Sequence, residues 1–153
     1  MRHPALAPFC LAFAVATTAC GSPKGPPSMS QPAAFPLTIT RIGGIAGFQD
    51  VLIVNGDGLV SVTQKGRPRW QCRLTPVAAR RVATAVSAVP WPRLTAKSTS
   101  ARFPDDLVTL VQSPAGGPVR LEDPQTGAAG AVFSDLINDL HSGRSAAGTC
   151  RPL

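Results

Sequence analysis

Ile39-Thr40-Arg41-Ile42-Gly43-Gly44-Ile45-Ala46-Gly47-Phe48-Gln49-Asp50-Val51-Leu52-Ile53-Val54 is the stretch on which the reading of this chain turns. Two β-prone apolar arms flank a centre with three glycines in five positions. Glycine is what a backbone needs where φ turns positive or where two backbones approach closely. The stretch therefore reads as two antiparallel strands joined by a tight loop, and its plainest interpretation is a hairpin with a bulge.

Outward from this hairpin the β pattern continues. Residues 37–42 alternate apolar with polar, and residues 48–54 form the second strand. Asn55-Gly56-Asp57-Gly58 has the composition of a turn, residues 59–64 follow as a third strand, and Lys65-Gly66-Arg67-Pro68 leads into a short fourth strand over 69–74. In the third strand Leu59, Ser61 and Thr63 alternate with Val60, Val62 and Gln64, and either set could face solvent.

At Thr75-Pro76 the period changes. Threonine suits an N-cap and proline the first helical position. Ala78, Val82, Ala85, Val86 and Val89 recur at helical spacing, with Arg80, Arg81, Thr84 and Ser87 opposite, and Pro90-Trp91-Pro92 ends the helix. Arg80 and Arg81 read as a solvated face. A polar connector over 93–104 precedes two more strands, 106–112 and 119–123, joined through Ser113-Pro114-Ala115-Gly116-Gly117-Pro118. A second helix is expected over about 128–141, with Val132, Phe133, Leu136, Ile137 and Leu140 as its apolar stripe and Gly143 as its stop. The expected fold is α+β, an antiparallel β-meander with two amphipathic helices packed on the sheet, in the order ββββ-α-ββ-α.

The N-terminus reads as an export signal. A basic Met1-Arg2-His3 precedes an uncharged apolar run over 5–19, which is too short for a comfortable membrane span. Thr17-Thr18-Ala19-Cys20-Gly21-Ser22 resembles a bacterial lipobox, although Thr17 stands where that pattern usually has Leu, Val or Ile. The alternative is cleavage after Ala14-Val15-Ala16, which would leave Cys20 as a soluble thiol. The division is therefore a signal at 1–19, a Pro/Gly/Ser-rich tether at 20–36 anchored through a lipid on Cys20, and a folded domain at 37–153. Such a protein would sit on the outer face of the cell membrane; without the lipid it would be secreted and soluble. Cys10 leaves with the signal, and lipid on Cys20 would leave Cys72 and Cys150 to pair in an oxidising compartment. Two unrelated buried thiols are the competing reading.

Composition narrows the function. The formal charge of +7 is spread along the chain, aromatics are 5%, and no basic block marks a nucleic-acid arm, so no nucleic-acid partner is expected. Outside the signal His141 is the only histidine, and a position near the end of a helix explains it through the helix dipole. No Gly-x-Ser-x-Gly elbow, P-loop, CxxC or metal-spaced His/Asp/Glu cluster occurs. Asp105 and Asp106 are adjacent, so on a strand they would point to opposite faces; a cap or turn role suits them. The chain reads as a binding or structural module, with neither cofactor nor metal.

Arg41-Ile42-Gly43-Gly44-Ile45-Ala46-Gly47-Phe48 now carries a further inference. Followed by a meander, a Val/Ala-rich helix ending in an aromatic and proline, an Asp-led strand and a Leu-rich terminal helix, it resembles the emfourin family. These are small protein inhibitors of thermolysin-like metallopeptidases, named for their action on protealysin. The resemblance spans about 37–140, and its distinctive part is the Arg-x-Gly-Gly-x-Ala-Gly core. Asp106-Leu107-Val108-Thr109 lacks the aromatics that the family carries after its aspartate, and the signal, tether and cysteine pair are additions. The resemblance implies inhibition by occlusion of the protease cleft. Gly43, Gly44, Ile45, Ala46, Gly47 and Phe48 would form the contact loop, with Ile45 and Phe48 as its apolar side chains. The plainer role for these two is that Phe48 plugs the core and Ile45 caps it. The other functional class is an envelope lipoprotein that binds another secreted or wall protein.

Overall fold

The computed structural model describes residues 34–94, 99–142 and 148–153. The segment read as an export signal, Cys20, most of the expected tether and Gly143 lie outside the described residues. The fold is α+β. One sheet of seven strands has the order β6-β5-β1-β2-β3-β4-β7, and every neighbouring pair is antiparallel. The meander comprises β1 (Leu37–Gly43), β2 (Phe48–Val54), β3 (Leu59–Gln64) and β4 (Trp70–Leu74). Helix α1 (Pro76–Ala88) leads to the hairpin of β5 (Leu107–Ser113) and β6 (Gly116–Arg120), which adds to the free edge of β1. Helix α2 (Ala129–Ser142) then returns the chain to β7 (Cys150–Pro152) on the opposite edge, beside β4.

Cross-strand register arranges the helix-side face of the sheet in rows. Leu37, Val54, Val60 and Cys72 form one row, and Val111, Ile39, Leu52, Val62 and Trp70 the next. Val82, Ala85 and Val86 of α1 and Phe133, Leu136, Ile137 and Leu140 of α2 cover these rows as one core. Each fully buried aliphatic side chain contributes about 1.5–3 kcal/mol, which is why the apolar periods of strand and helix had to face one another. In β3 the inward set is Val60, Val62 and Gln64, which resolves the ambiguity of its alternation.

Local chemistry closes the ends. Thr75 caps α1, its hydroxyl accepting from Ala78 N–H at 3.4 Å, and Pro76 opens the helix as expected. Trp91 forms a 3-10 turn with Pro92 and Arg93, buries its ring near Phe133 and donates its indole N–H to the Val86 carbonyl at 2.8 Å. Asp123 caps a second 3-10 turn over Pro124–Thr126, accepting from Gln125 N–H at 2.9 Å, and the α2 start lies tight against the Leu121 carbonyl at Gly130.

Three details differ from the sequence reading. Strand β6 begins at Gly116 and ends at Arg120, because the turn takes only Pro114 and Ala115. The polar tail folds back as β7, a strand too short to show a period. Arg81 of the solvated α1 face pairs with Asp135 of α2 at 2.7 Å, although both side chains remain more than half exposed. Both sheet edges carry a proline, Pro118 in β6 and Pro152 in β7, which removes a ladder donor and discourages edge pairing.

Cys72 and Cys150 meet as a disulfide, with Cα atoms 5.7 Å apart and the two residues 78 positions apart in sequence. The bridge holds β7 on β4 at one edge of the core. Replacing both cysteines by alanine is expected to lower the unfolding free energy by about 2–5 kcal/mol, measured by urea denaturation. Amide hydrogen exchange should show β7 opening first. An unchanged denaturation midpoint would mean that the β4–β7 ladder holds without the bridge.

Candidate functional site

The apolar rows end abruptly on approaching the β1–β2 loop. The next helix-side row is Thr109, Arg41, Asp50 and Gln64, one polar residue from each of four neighbouring strands. Arg41 is 4% exposed and Asp50 2%, so both charges are inside the protein. Arg41 donates from Nε at 2.9 Å and from Nη2 at 2.5 Å to Asp50 Oδ2. Its Nη1 reaches Asn138 Oδ1 on α2 at 2.8 Å. A buried pair of this kind is tolerated only when its hydrogen-bonding capacity is used, and here two helix side chains complete it.

The second is His141. Its Nδ1 lies 2.9 Å from Asp50 Oδ2 and 2.8 Å from Gln64 Nε2. As N–H it donates to the carboxylate; as a bare nitrogen it accepts from the amide. The explanation given for this residue from sequence, a place near the helix end favoured by the helix dipole, is therefore incomplete: the last turn of α2 delivers the ring onto the sheet. Asn138 and His141 are one helical turn apart, which places both above the same polar row.

The outermost row is Leu107, Gly43 and Phe48, and from it the Gly44–Gly47 turn projects. Gly43, Gly44 and Gly47 all have positive φ, at 85°, 71° and 61°, and Gly47 N–H closes the turn on the Gly44 carbonyl at 2.9 Å. At Gly43 the constraint is double, because a Cβ there would overlap the Asp106 carbonyl oxygen. That carbonyl accepts from Gly44 N–H at 2.9 Å, while the Asp106 carboxylate accepts from the backbone N–H groups of Arg102 and Phe103 at 2.7 and 3.2 Å. Asp106 thus knots the connector and splints the loop from the β5 side.

The six loop residues singled out from sequence separate into two groups. Ile45 is 94% exposed at the tip, beside exposed Ala46. Phe48 points the other way: the Arg41 guanidinium lies 4.4 Å above its ring, and His141 meets it edge-on with centroids 5.0 Å apart. Phe48 is therefore part of the support, and only Ile45 of the two stands free. Phe103 and Leu107 add exposed apolar surface on the β5 side, which the sequence reading did not associate with the loop.

An open cavity of about 510 Å³ lies beside Phe103 and Leu107, but its carboxylates Asp106, Glu122 and Asp123 are bonded, the first to backbone N–H groups, the second to Arg120 and the third to the Gln125 N–H. No group of three or more His, Cys, Asp or Glu side chains that could hold a metal ion occurs among the described residues. No helix among them is long and apolar enough to cross a membrane. Comparison with protein families, with curated proteins and with solved structures finds no match to this chain.

Removing one partner of the buried pair exposes its role. Asp50→Asn or Arg41→Ala should cost about 3–5 kcal/mol of stability in urea melts, because the remaining charge stays buried without its counterion. Gly43→Ala should cost on the order of 1–3 kcal/mol through strained φ and the clash with Asp106. A Gly43→Ala variant of parental stability would mean that the loop is not held by the Asp106 carbonyl.

Proposed function

We propose that this chain is a cell-surface lipoprotein that inhibits a thermolysin-like metallopeptidase by occluding its cleft with the β1–β2 loop. The observation that carries the reading is Ile45, an aliphatic side chain 94% exposed at the tip of a turn whose base is clamped on both sides. Arg41, Asp50 and His141 hold the helix side and Asp106 the β5 side. A preformed loop loses little conformational freedom on binding, and that is the energetic requirement for an inhibitor that works by occupancy. The peptidase class comes from the likeness of the Arg41–Phe48 segment to the emfourin core. Of the two apolar residues nominated on that basis, Phe48 is half-buried against Arg41 and His141, and we take Ile45 as the inserting residue.

Anchorage through a lipid on Cys20, with the Pro-rich tether as spacer, rests on the lipobox-like segment. The chain enters the sheet at Leu37, one strand length from the loop, or about 20 Å at the rise of a β-strand. An anchor on that side leaves the loop end free to project.

Titration of the oxidised protein against a panel of thermolysin-like metallopeptidases, following hydrolysis of a peptide substrate, tests the activity. Stoichiometric loss of hydrolysis is expected, weakened by about tenfold or more in Ile45→Ala with unchanged stability. No inhibition by a folded, disulfide-bonded domain would overturn the proposal and direct the search to envelope proteins. Radiolabelled palmitate should enter the wild-type chain in a bacterial host and not Cys20→Ser; equal labelling of neither would place the protein in the secreted, unanchored class.

A further inference from the structure

The turn between β3 and β4 rises at the same end of the sheet as Ile45, because β3 ends at Gln64 opposite Asp50, close to where β2 begins. It reads Lys65-Gly66-Arg67-Pro68-Arg69, and all five residues are exposed. The two turns are joined: Lys65 N–H donates to the Gln49 carbonyl at 3.1 Å, and Lys65 Nζ lies 3.6 Å from where a Cβ would stand on Gly47. The Arg67 guanidinium makes a long 3.4 Å contact to Gln64 Oε1, and among the described residues no carboxylate pairs with Lys65, Arg67 or Arg69. Across this end of the molecule the order is fixed by the strands. Phe103, Leu107 and the exposed, oppositely charged Arg102 and Asp105 stand on the β5 side, Ile45 in the middle, and three cations with no carboxylate partner on the β3 side.

Three clustered cations repel one another, and their closeness to an exposed aliphatic tip gives the surface a polarity. We infer that the loop end is a docking surface for a protein partner with an apolar socket for Ile45 and an acidic rim facing the β3–β4 turn. This deepens the inhibitor reading and rests on it for the nature of the partner. The socket would exclude water from Ile45, while the acidic rim would steer the encounter and fix which way round the domain sits. A membrane surface fits less well. One protruding aliphatic residue offers little area to a bilayer, exposed Asp105 would face anionic lipid, and the chain enters the fold at the far end of β1.

The test separates this surface from the protease. Amide chemical shifts of the exported, oxidised chain are followed while adding a hexapeptide of two leucines flanked by glutamates. A lysine-flanked version and vesicles of phosphatidylglycerol are added separately. Shifts confined to Ile45, Gly47, Lys65, Arg67 and Arg69 with the glutamate peptide, absent with the lysine peptide and lost in Lys65→Ala/Arg67→Ala/Arg69→Ala, are expected. Against any peptidase that the chain inhibits, the triple variant should associate on the order of tenfold more slowly at low salt, with a flattened salt dependence and little change in dissociation rate. Ile45→Ala should instead speed dissociation. An inhibited peptidase with identical association rates for wild type and triple variant would overturn the acidic-rim proposal while leaving inhibition standing. Glutamate-peptide shifts without inhibition of any peptidase would keep the surface and remove the protease. Binding to vesicles without peptide shifts would replace the protein partner by a membrane and overturn the proposal.

Discussion

A buried ion pair at the outer end of the core governs this structure. Arg41 and Asp50 face each other across β1 and β2, two residues inside the glycine turn on either side. Burying two charges is costly, and a well-packed apolar pair of similar volume would often be as stable or more so. What the pair supplies is definition. A slip of one residue in the β1–β2 register would turn one arm inside out, leaving a buried charge without its counterion and exposing Ile39 or Leu52. The pair thereby fixes the register of the hairpin, and with it the residue that occupies the tip.

From that constraint the neighbouring parts follow. Asn138 and His141 complete the hydrogen bonding of the pair, so the last turn of α2 must lie over the loop end of the sheet. Phe48 then has a cation above it and an imidazole at its edge, and is held beneath the loop. Gly43 answers a different requirement. Its backbone approaches the Asp106 carbonyl too closely for any side chain, which lets Gly44 N–H bond there and ties the connector to the turn. The loop is short, but its two bases are fastened to separate elements, α2 on one side and the entry to β5 on the other.

Much of the fold was legible because its signals are local. Alternation marked the strands, Thr75-Pro76 marked the start of α1, and the Phe133–Leu140 stripe marked α2. The placement of β5 against β1 was not legible, since strand order depends on which edges a hairpin can reach and not on any residue within it. Strand β7 has three residues and too few side chains for a period; Cys150 alone pointed to the edge of the core. The support of the loop had a signal that went unread. Arg41 continues the inward parity of Leu37 and Ile39, and Asp50 begins the inward parity of Leu52 and Val54. Opposite charges at inward positions, equidistant from a turn, announce a cross-strand pair. His141 carried no comparable signal, because its partners lie 91 and 77 residues away in sequence and only the helix crossing brings them together.

The arrangement also divides labour between the two sides of the molecule. The helix side of the sheet spends its apolar residues on the core and its one polar row on holding the hairpin. The edges are blunted by proline. At the loop end an aliphatic tip, an apolar flank and three cations stand in an order dictated by strand succession. Isolated exposed apolar residues need no explanation in a soluble protein. An exposed isoleucine on a turn that a buried ion pair, a helix terminus and a backbone carbonyl all restrain is different, because a tip held in that way would lose little conformational freedom on meeting a partner, and the proposed function rests on that.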